Sequence, residues 1–340
     1  MITARRGGAG EQQRPERAAF LLISGFSMLA YVAAIESLRA ANQIAERQLY
    51  SWHHVRPSGA EAVASNGVKL ACELDVQSNE LFELVFVCVS DEASSFRQSE
   101  TLGWLRNQAA HGAMIGGIGG GAFLLARAGL LTRHRVTLHW AYAPTFAEQF
   151  PEARLRRTLY EIDGSLMTCG GGISSLDMLH ELLLRRHGPN LAVAVSEWFL
   201  HTDIREGQNP QRLSFRARYG ISHPGLTRAL AAMEDAVEEP ITRADLAGIA
   251  GVSERQLNRL FVSQLGETLG AYYLRLRLER ARHLVRLSNL PLLDICVACG
   301  FKSASTFSKS YRAAFGQPPS ADRSQQLLRD RPNRGRRVEN

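Results

Sequence analysis

Two stretches, Asp245-Leu-Ala-Gly-Ile-Ala-Gly251 and Asp294-Ile-Cys-Val-Ala-Cys-Gly300, read alike 49 residues apart. Downstream, Leu257, Arg259, Phe261 and Gly266 answer to Phe307, Lys309, Tyr311 and Gly316, now at an offset of 50, so one residue is inserted in the second turn. In each copy a short apolar helix ends at a glycine and a longer helix follows, the pattern of a helix-turn-helix. Leu257, Leu260 and Phe261 fall at i, i+3, i+4 and should pack inward. Arg255, Asn258 and Arg259 take the same spacing on another face, with Ser253 placed to cap the helix. In the second copy Phe307, Tyr311 and Phe315 form the apolar face, and Ser305, Ser308, Lys309 and Arg312 the exposed one. Between the copies, Leu274, Leu278, Ala281 and Val285 put one apolar stripe on a long helix whose other faces carry Arg275, Arg277, Arg280 and Arg282. Such a helix can hold two units rigidly apart.

Charge follows the same division. The chain has 340 residues, 45% of them apolar and 21% charged. That suits two ordinary domains and excludes a disordered or fibrous chain. The net charge is +7, yet residues 241–340 hold 17 Lys+Arg against 8 Asp+Glu, and the first 240 residues hold 23 against 25. A basic last hundred residues points to a polyanion-binding module there. Arg matches guanine edges and Asn adenine edges in the major groove.

Residues 223–322 resemble the AraC/XylS family. Asp294-Ile-Cys-Val-Ala-Cys-Gly-Phe-Lys-Ser-Ala-Ser-Thr-Phe-Ser-Lys-Ser-Tyr-Arg312 and Phe315-Gly-Gln-Pro-Pro319 are the diagnostic stretch. The resemblance implies that both second helices enter successive major-groove segments of double-stranded DNA. It makes Arg255, Asn258 and Arg259 the base readers of the first helix, and Ala304, Ser305, Ser308 and Lys309 those of the second. Small residues at 304 and 305 imply reading by methyl contact or shape. For each residue the alternative is a phosphate contact or plain solvation.

From Ala18 to about His201, strand-like and helical runs alternate. Strands are expected at Phe20–Ile23, Trp52–Arg56, Leu84–Val89, Ala113–Ile118 and Val136–His139, with hairpin turns at Asn66-Gly67 and Asp163-Gly164. The alternation predicts an α/β three-layer sandwich, flavodoxin-like, with a mainly parallel sheet; an all-α double helix-turn-helix domain follows it. The expected boundaries are a tail at 1–16, a sensing domain at 17–203, a linker at 204–222, the DNA-binding domain at 223–323 and a basic tail at 324–340. Four arginines before the uncharged run Ala18–Ile35 imitate a signal peptide, but Ser24, Gly25 and Ser27 break that run into a strand and a helix. A cytoplasmic chain without a membrane partner is expected.

The stretch Ala113-Met-Ile-Gly-Gly-Ile-Gly-Gly-Gly-Ala-Phe-Leu-Leu-Ala-Arg-Ala-Gly-Leu-Leu131 carries a strand through a glycine turn into a helix. Gly119, Gly120 and Gly121 can there offer backbone N–H groups to an anion. Gly117-x-Gly119-x-x-Ala122 also fits a loose dinucleotide fingerprint, but it follows a middle strand and no acidic residue ends the next one.

Together with Ala34-Ile-Glu-Ser-Leu-Arg-Ala-Ala-Asn42, Leu138-His-Trp140 and Thr168-Cys-Gly-Gly-Gly-Ile-Ser-Ser-Leu-Asp-Met178, this stretch resembles the PfpI-like, class I glutamine amidotransferase-like superfamily, fused to an AraC module as in the GlxA group of regulators. Enzymes of the superfamily place a nucleophilic Cys on the elbow, a His about twenty residues later and a Glu near the first helix. The matching positions here are Gly119, His139 and Glu36. Gly119 has no side chain, so no thiolate forms on the elbow and no catalytic residue is assigned. What remains is a pocket for a small zwitterion, with Gly119–Gly121 for a carboxylate and Glu36, His139 and the Trp140 ring for a cationic amine. Glu36 could instead sit in a helix salt bridge, and His139 be an interior His.

The resemblance makes the effector an amine, an amino acid or a quaternary amine. It adds a homodimer, with RNA polymerase as a partner if the chain activates transcription. No metal or cofactor is expected. One rival is a cysteine-dependent hydrolase or amidase using Cys169 or Cys72. Another is a redox sensor using Cys296 and Cys299, whose C-x-x-C has no second pair or His cluster to hold zinc and reads as core. Operator, target genes and the exact effector are not legible.

Overall fold

The computed structural model describes residues 14–58, 61–288 and 290–329, so most of both expected tails lies outside the described residues. The chain divides into two compact units between Gln211 and Arg212.

The first unit runs β1 (Glu16–Leu22), α1 (Met28–Ile44), β2 (Tyr50–Arg56), β3 (Glu61–Val63), β4 (Lys69–Ala71), β5 (Leu74–Asp75), β6 (Leu84–Val89), α2 (Ser99–Ala110), β7 (Met114–Gly119), α3 (Gly121–Arg127), β8 (Arg135–Val136), α4 (Ala143–Gln149), β9 (Arg154–Leu155), β10 (Tyr160–Asp163), β11 (Leu166–Cys169), α5 (Ser174–His187) and α6 (Pro189–Trp198). Its main sheet has the order β10-β11-β7-β6-β1-β2-β5, parallel except for the β10–β11 hairpin. Every residue of β6 is buried, as its unbroken apolar run Leu-Val-Phe-Val-Cys-Val requires of a strand covered on both faces. On one face Phe20, Phe86 and Ile118 pack with Leu38, Met178 and Leu182 of α1 and α5. On the other, Leu21, Val85 and Val87 pack with Trp104, Leu105 and Phe123 of α2 and α3. This is the three-layer sandwich.

Two sequence expectations differ from the structure. Val136–His139 is not a strand of the main sheet. Only Arg135–Val136 pairs, with β9 in a separate two-stranded ribbon. The next amides turn elsewhere: Thr137 N–H donates to Thr168 Oγ1 and His139 N–H to the Gly119 carbonyl. The stretch 204–222, expected as a linker, is packed at both ends. The buried Asp177 accepts from His201 Nε2 at 2.9 Å and from the Arg205 N–H at 3.1 Å, and Leu159 N–H donates to the Gly207 and Asn209 carbonyls. Beyond Arg212, Phe215 and Ile221 are buried in the second unit. Gly, Asn and Pro, which read as loop composition, here form a strap held through its backbone.

The second unit is helical throughout its described residues: α7 (Phe215–Tyr219), α8 (Pro224–Asp235), α9 (Arg243–Ala250), α10 (Glu254–Leu265), α11 (Leu269–Leu287), α12 (Leu292–Ala298), α13 (Ala304–Phe315) and α14 (Pro319–Arg329). It has two cores joined by α11. Leu269, Tyr272 and Tyr273 enter the first with Leu226, Leu257 and Phe261; Leu278, Ala281 and Leu284 enter the second with Ile295, Phe307 and Tyr311.

The arginines of α11 hold the unit together. Arg277 donates to the Cys299 and Gly300 carbonyls at 2.8 and 2.6 Å, capping the end of α12. Arg275 pairs with Glu267 and Glu279. Arg282 and Arg286 pair with Asp322, which also accepts the Tyr311 hydroxyl at 2.8 Å. Burial opposes the Asp322 charge, but the bonds from Arg286 and Tyr311 outweigh it and hold the carboxyl below its ordinary range. A depressed native pKa stabilises the fold above the unfolded value, about 3.9, and that stability is lost as pH falls through the native value. Asp322→Ala should therefore destabilise the second unit by about 3 kcal/mol at pH 7, by leaving three buried or half-buried donors unmatched. Urea melts of the parent and variant should converge once the pH is well below 4.

Candidate functional site

In the first helix-turn-helix, α9 ends at Gly251, which is left-handed at φ +72°, and α10 starts with a reciprocal capping box between Ser253 and Gln256. In the second, α12 leads to Gly300 at φ +70°, and Ser303 caps α13 through the Thr306 N–H. A Cβ at Gly300 would lie 2.7 Å from both the Val237 carbonyl and Pro240 Cγ, so this turn admits only glycine. Helices α10 and α13 are each 12 residues long and start 50 residues apart. Each buries one face, through Leu257 and Phe261 or Phe307 and Tyr311, and leaves the opposite face outward.

Arg255 and Arg259 are exposed on α10; Ala304, Ser305 and Lys309 are exposed on α13, with Ser308 half-buried. Asn258 is also exposed, but its Oδ1 accepts the Leu269 N–H at 3.1 Å. Leu269 is the first residue of α11, and its amide has no partner within the helix. Asn258 therefore ties α10 to the start of the bridging helix, and this contact was not visible in the spacing.

In the first unit, β7 enters the elbow at Gly119, which is left-handed at φ +67°, and α3 leaves it. A Cβ at Gly120 would lie 2.5 Å from Ala93 Cβ, and one at Gly121 2.8 Å from the Val87 carbonyl, so both glycines are required by packing. Gly120 N–H donates to the Val89 carbonyl, and the Gly119 amide faces the Cys169 sulfur. Two of the amides expected to cradle a carboxylate thus have partners inside the fold.

His139 is brought to the elbow: its N–H donates to the Gly119 carbonyl at 3.0 Å. Its ring lies 5.4 Å from the Trp140 ring and 5.5 Å from that of Tyr142, and Trp140 is 48% exposed. Glu36 is not brought there. Ala30 is the α1 residue beside Gly171, which itself packs on Gly119. Glu36 is six residues on, about 9 Å along the helix, and its carboxylate accepts Arg39 Nε at 2.6 Å.

Comparison with known proteins matches each unit to a family. A helix-turn-helix domain model covers residues 246–325, and a DJ-1/PfpI family model covers residues 16–184. HTH-type transcriptional regulator CdhR of Pseudomonas aeruginosa is 41% identical over 90% of this chain and 90% of its own. HTH-type transcriptional regulator GlxA of Rhizobium meliloti is 38% identical over 92% of this chain and 96% of its own. The chain belongs to the family of AraC-type transcriptional regulators that carry a DJ-1/PfpI domain. A crystal structure of a Vibrio parahaemolyticus protein aligns to this regulator with a TM-score of 0.50 at 24% identity, over 55% of this chain and 100% of that one, and has the same α/β fold.

The thiols of the regulator lie inside it. Cys72, Cys88, Cys169, Cys296 and Cys299 are all buried, and none is in a disulfide. Burial raises the pKa of the thiols of Cys72, Cys88 and Cys169, and those of Cys88 and Cys169 face the same core cluster beside Ile118. Cys296 lies in the second helix-turn-helix core, its Sγ 3.6 Å from the Phe301 carbonyl. Buried, protonated thiols are poor nucleophiles.

Two substitutions on α10 should separate by readout. Arg259→Ala should lower DNA affinity by about 1–3 kcal/mol and relax preference at one base pair, as measured by binding to permuted sites. Equal losses on specific and random DNA would make Arg259 a phosphate contact. Asn258→Ala should in addition lower the stability of the second unit by about 1 kcal/mol, measured by denaturant melts, because Leu269 N–H loses its acceptor.

Proposed function

We propose that the regulator couples a non-catalytic sensor, the first unit, to DNA binding by the second. The observation that carries this is the left-handed elbow position held by Gly119, next to His139, in a chain whose other half is a tandem helix-turn-helix. At that position the superfamily's enzymes need a side chain, and the five cysteines elsewhere are buried. The sensor binds a small amine or amino-acid-like effector. Its exposed Trp140 ring and the adjacent His139 ring suit a cation. Glu36, paired with Arg39, is given no part in this pocket.

Arg255, Arg259, Ala304, Ser305, Ser308 and Lys309 are proposed as base readers; Asn258 has a capping role beside any contact it makes. A homodimer, contact with RNA polymerase when activating, and a cytoplasmic location belong to the same reading on the strength of the family resemblance. No helix of the described residues is long and apolar enough to cross a membrane.

An effector that binds two arrangements equally shifts nothing, so regulation requires the sensor to be present. The fragment 212–340, which holds Phe215 and both helical cores, should bind the operator recovered by genomic selection with the full chain. Its affinity should be indifferent to any amine that alters binding by the full chain. A fragment that still answers the amine would place the effector site in the second unit and sink the sensor assignment.

A further inference from the structure

Gln211, the last residue of the first unit, inserts its side chain beside the elbow. Its Oε1 accepts the Trp140 N–H at 2.8 Å, which fixes the orientation of the amide. Its Nε2 lies 2.6 Å from the Thr158 carbonyl, 2.9 Å from the Leu138 carbonyl and 3.1 Å from Thr137 Oγ1. Thr137 Oγ1 donates its own proton to the Thr158 carbonyl at 2.8 Å, so toward Gln211 it can only accept. Nε2 therefore meets three acceptors with two hydrogens. The Thr158 carbonyl also has the Thr137 hydroxyl, so every oxygen of the set has a donor, and Thr137 and Leu138 are almost wholly buried. Three oxygens converge on one nitrogen position: a primary ammonium carries a hydrogen for each of them, and a quaternary ammonium carries none.

We propose that Leu138, Thr158 and Thr137 form a subsite for a primary ammonium, and that Gln211 occupies it as an internal ligand that an effector amine displaces. This rests on the reading of the first unit as a sensor and narrows its ligand to amines with N–H donors. The subsite adjoins the sensor site proposed above: His139, between Leu138 and Trp140, is bonded to the Gly119 carbonyl. It also adjoins the unit boundary. Arg212, the next residue, pairs with Glu234 of the second unit at 3.0 Å. Consecutive Cα atoms are about 3.8 Å apart, so Gln211 cannot leave its seat without moving the backbone that enters Arg212.

The test uses the full chain and its Gln211→Ala variant, with ethylammonium and tetramethylammonium as probes. Calorimetry should give the variant about tenfold tighter ethylammonium binding, since the internal competitor is gone. Neither chain should bind tetramethylammonium at this subsite. Saturating ethylammonium should speed tryptic cleavage after Arg212 in the parent toward the rate of the unliganded variant. Should Gln211→Ala fail to fold by circular dichroism, Gln211→Met carries the test, because a thioether keeps most of the bulk and offers the three oxygens no N–H. Equal ethylammonium affinity in parent and variant with unchanged cleavage would overturn the subsite, as would equal binding of both cations. Neither result touches the sensor assignment, which falls only if the isolated second unit responds to effector.

Discussion

Where helix α3 begins, at Gly121, it approaches β6 so closely that no side chain fits. A Cβ on Gly121 would stand 2.8 Å from the Val87 carbonyl; on the neighbouring strand β7, one on Gly116 would stand 2.9 Å from the Phe86 ring. Interiors packed to this density do not yield by ångströms at low cost. The elbow is therefore a fixed point. Its carbonyl at Gly119 holds the His139 amide, the neighbouring Trp140 amide holds Gln211, and Gln211 ends the first unit. The glycine run 119–121, read from the sequence as a strand-to-helix turn, is closely packed backbone.

Where periodicity was the signal, the sequence was a good guide. The apolar run Leu84–Val89 is a buried central strand, and each helix-turn-helix copy is a short helix, a left-handed glycine turn and a 12-residue helix. Each of these depends on short-range spacing, which a single chain displays directly. Val136–His139 failed because its apolar alternation was real but its hydrogen bonds went to Thr168 and Gly119, partners 31 and 20 residues away. No local pattern reports where an amide finds a distant acceptor.

The candidate sites were legible to the same degree and for the same reason. Faces of helices could be read: Arg255 and Arg259 are outward, and Leu257 and Phe261 inward. Individual side-chain partners could not. Glu36 looked like the pocket's anion, yet Arg39, three residues on and on the same helix face, takes it. Asn258 looked like a free base reader, yet it serves an amide eleven residues later. Gln211 was passed over inside a segment whose composition resembled a linker. The spacing put Arg277 and Arg282 off the apolar stripe of α11 without showing their partners; they and Arg286 act on α12 and α14.

Helix α11 belongs to both helical cores, and its 19 residues make a rod about 28 Å long. A rod that is buried at both ends transmits rotation as well as distance. B-form DNA turns once in about 10.5 base pairs, so each added pair rotates the next groove segment by about 34°. Any DNA read by α10 and α13 together must offer its two segments in one rotational phase. Insertion of even a few base pairs between them would carry the second segment around the duplex, out of reach of a protein that cannot twist to follow it.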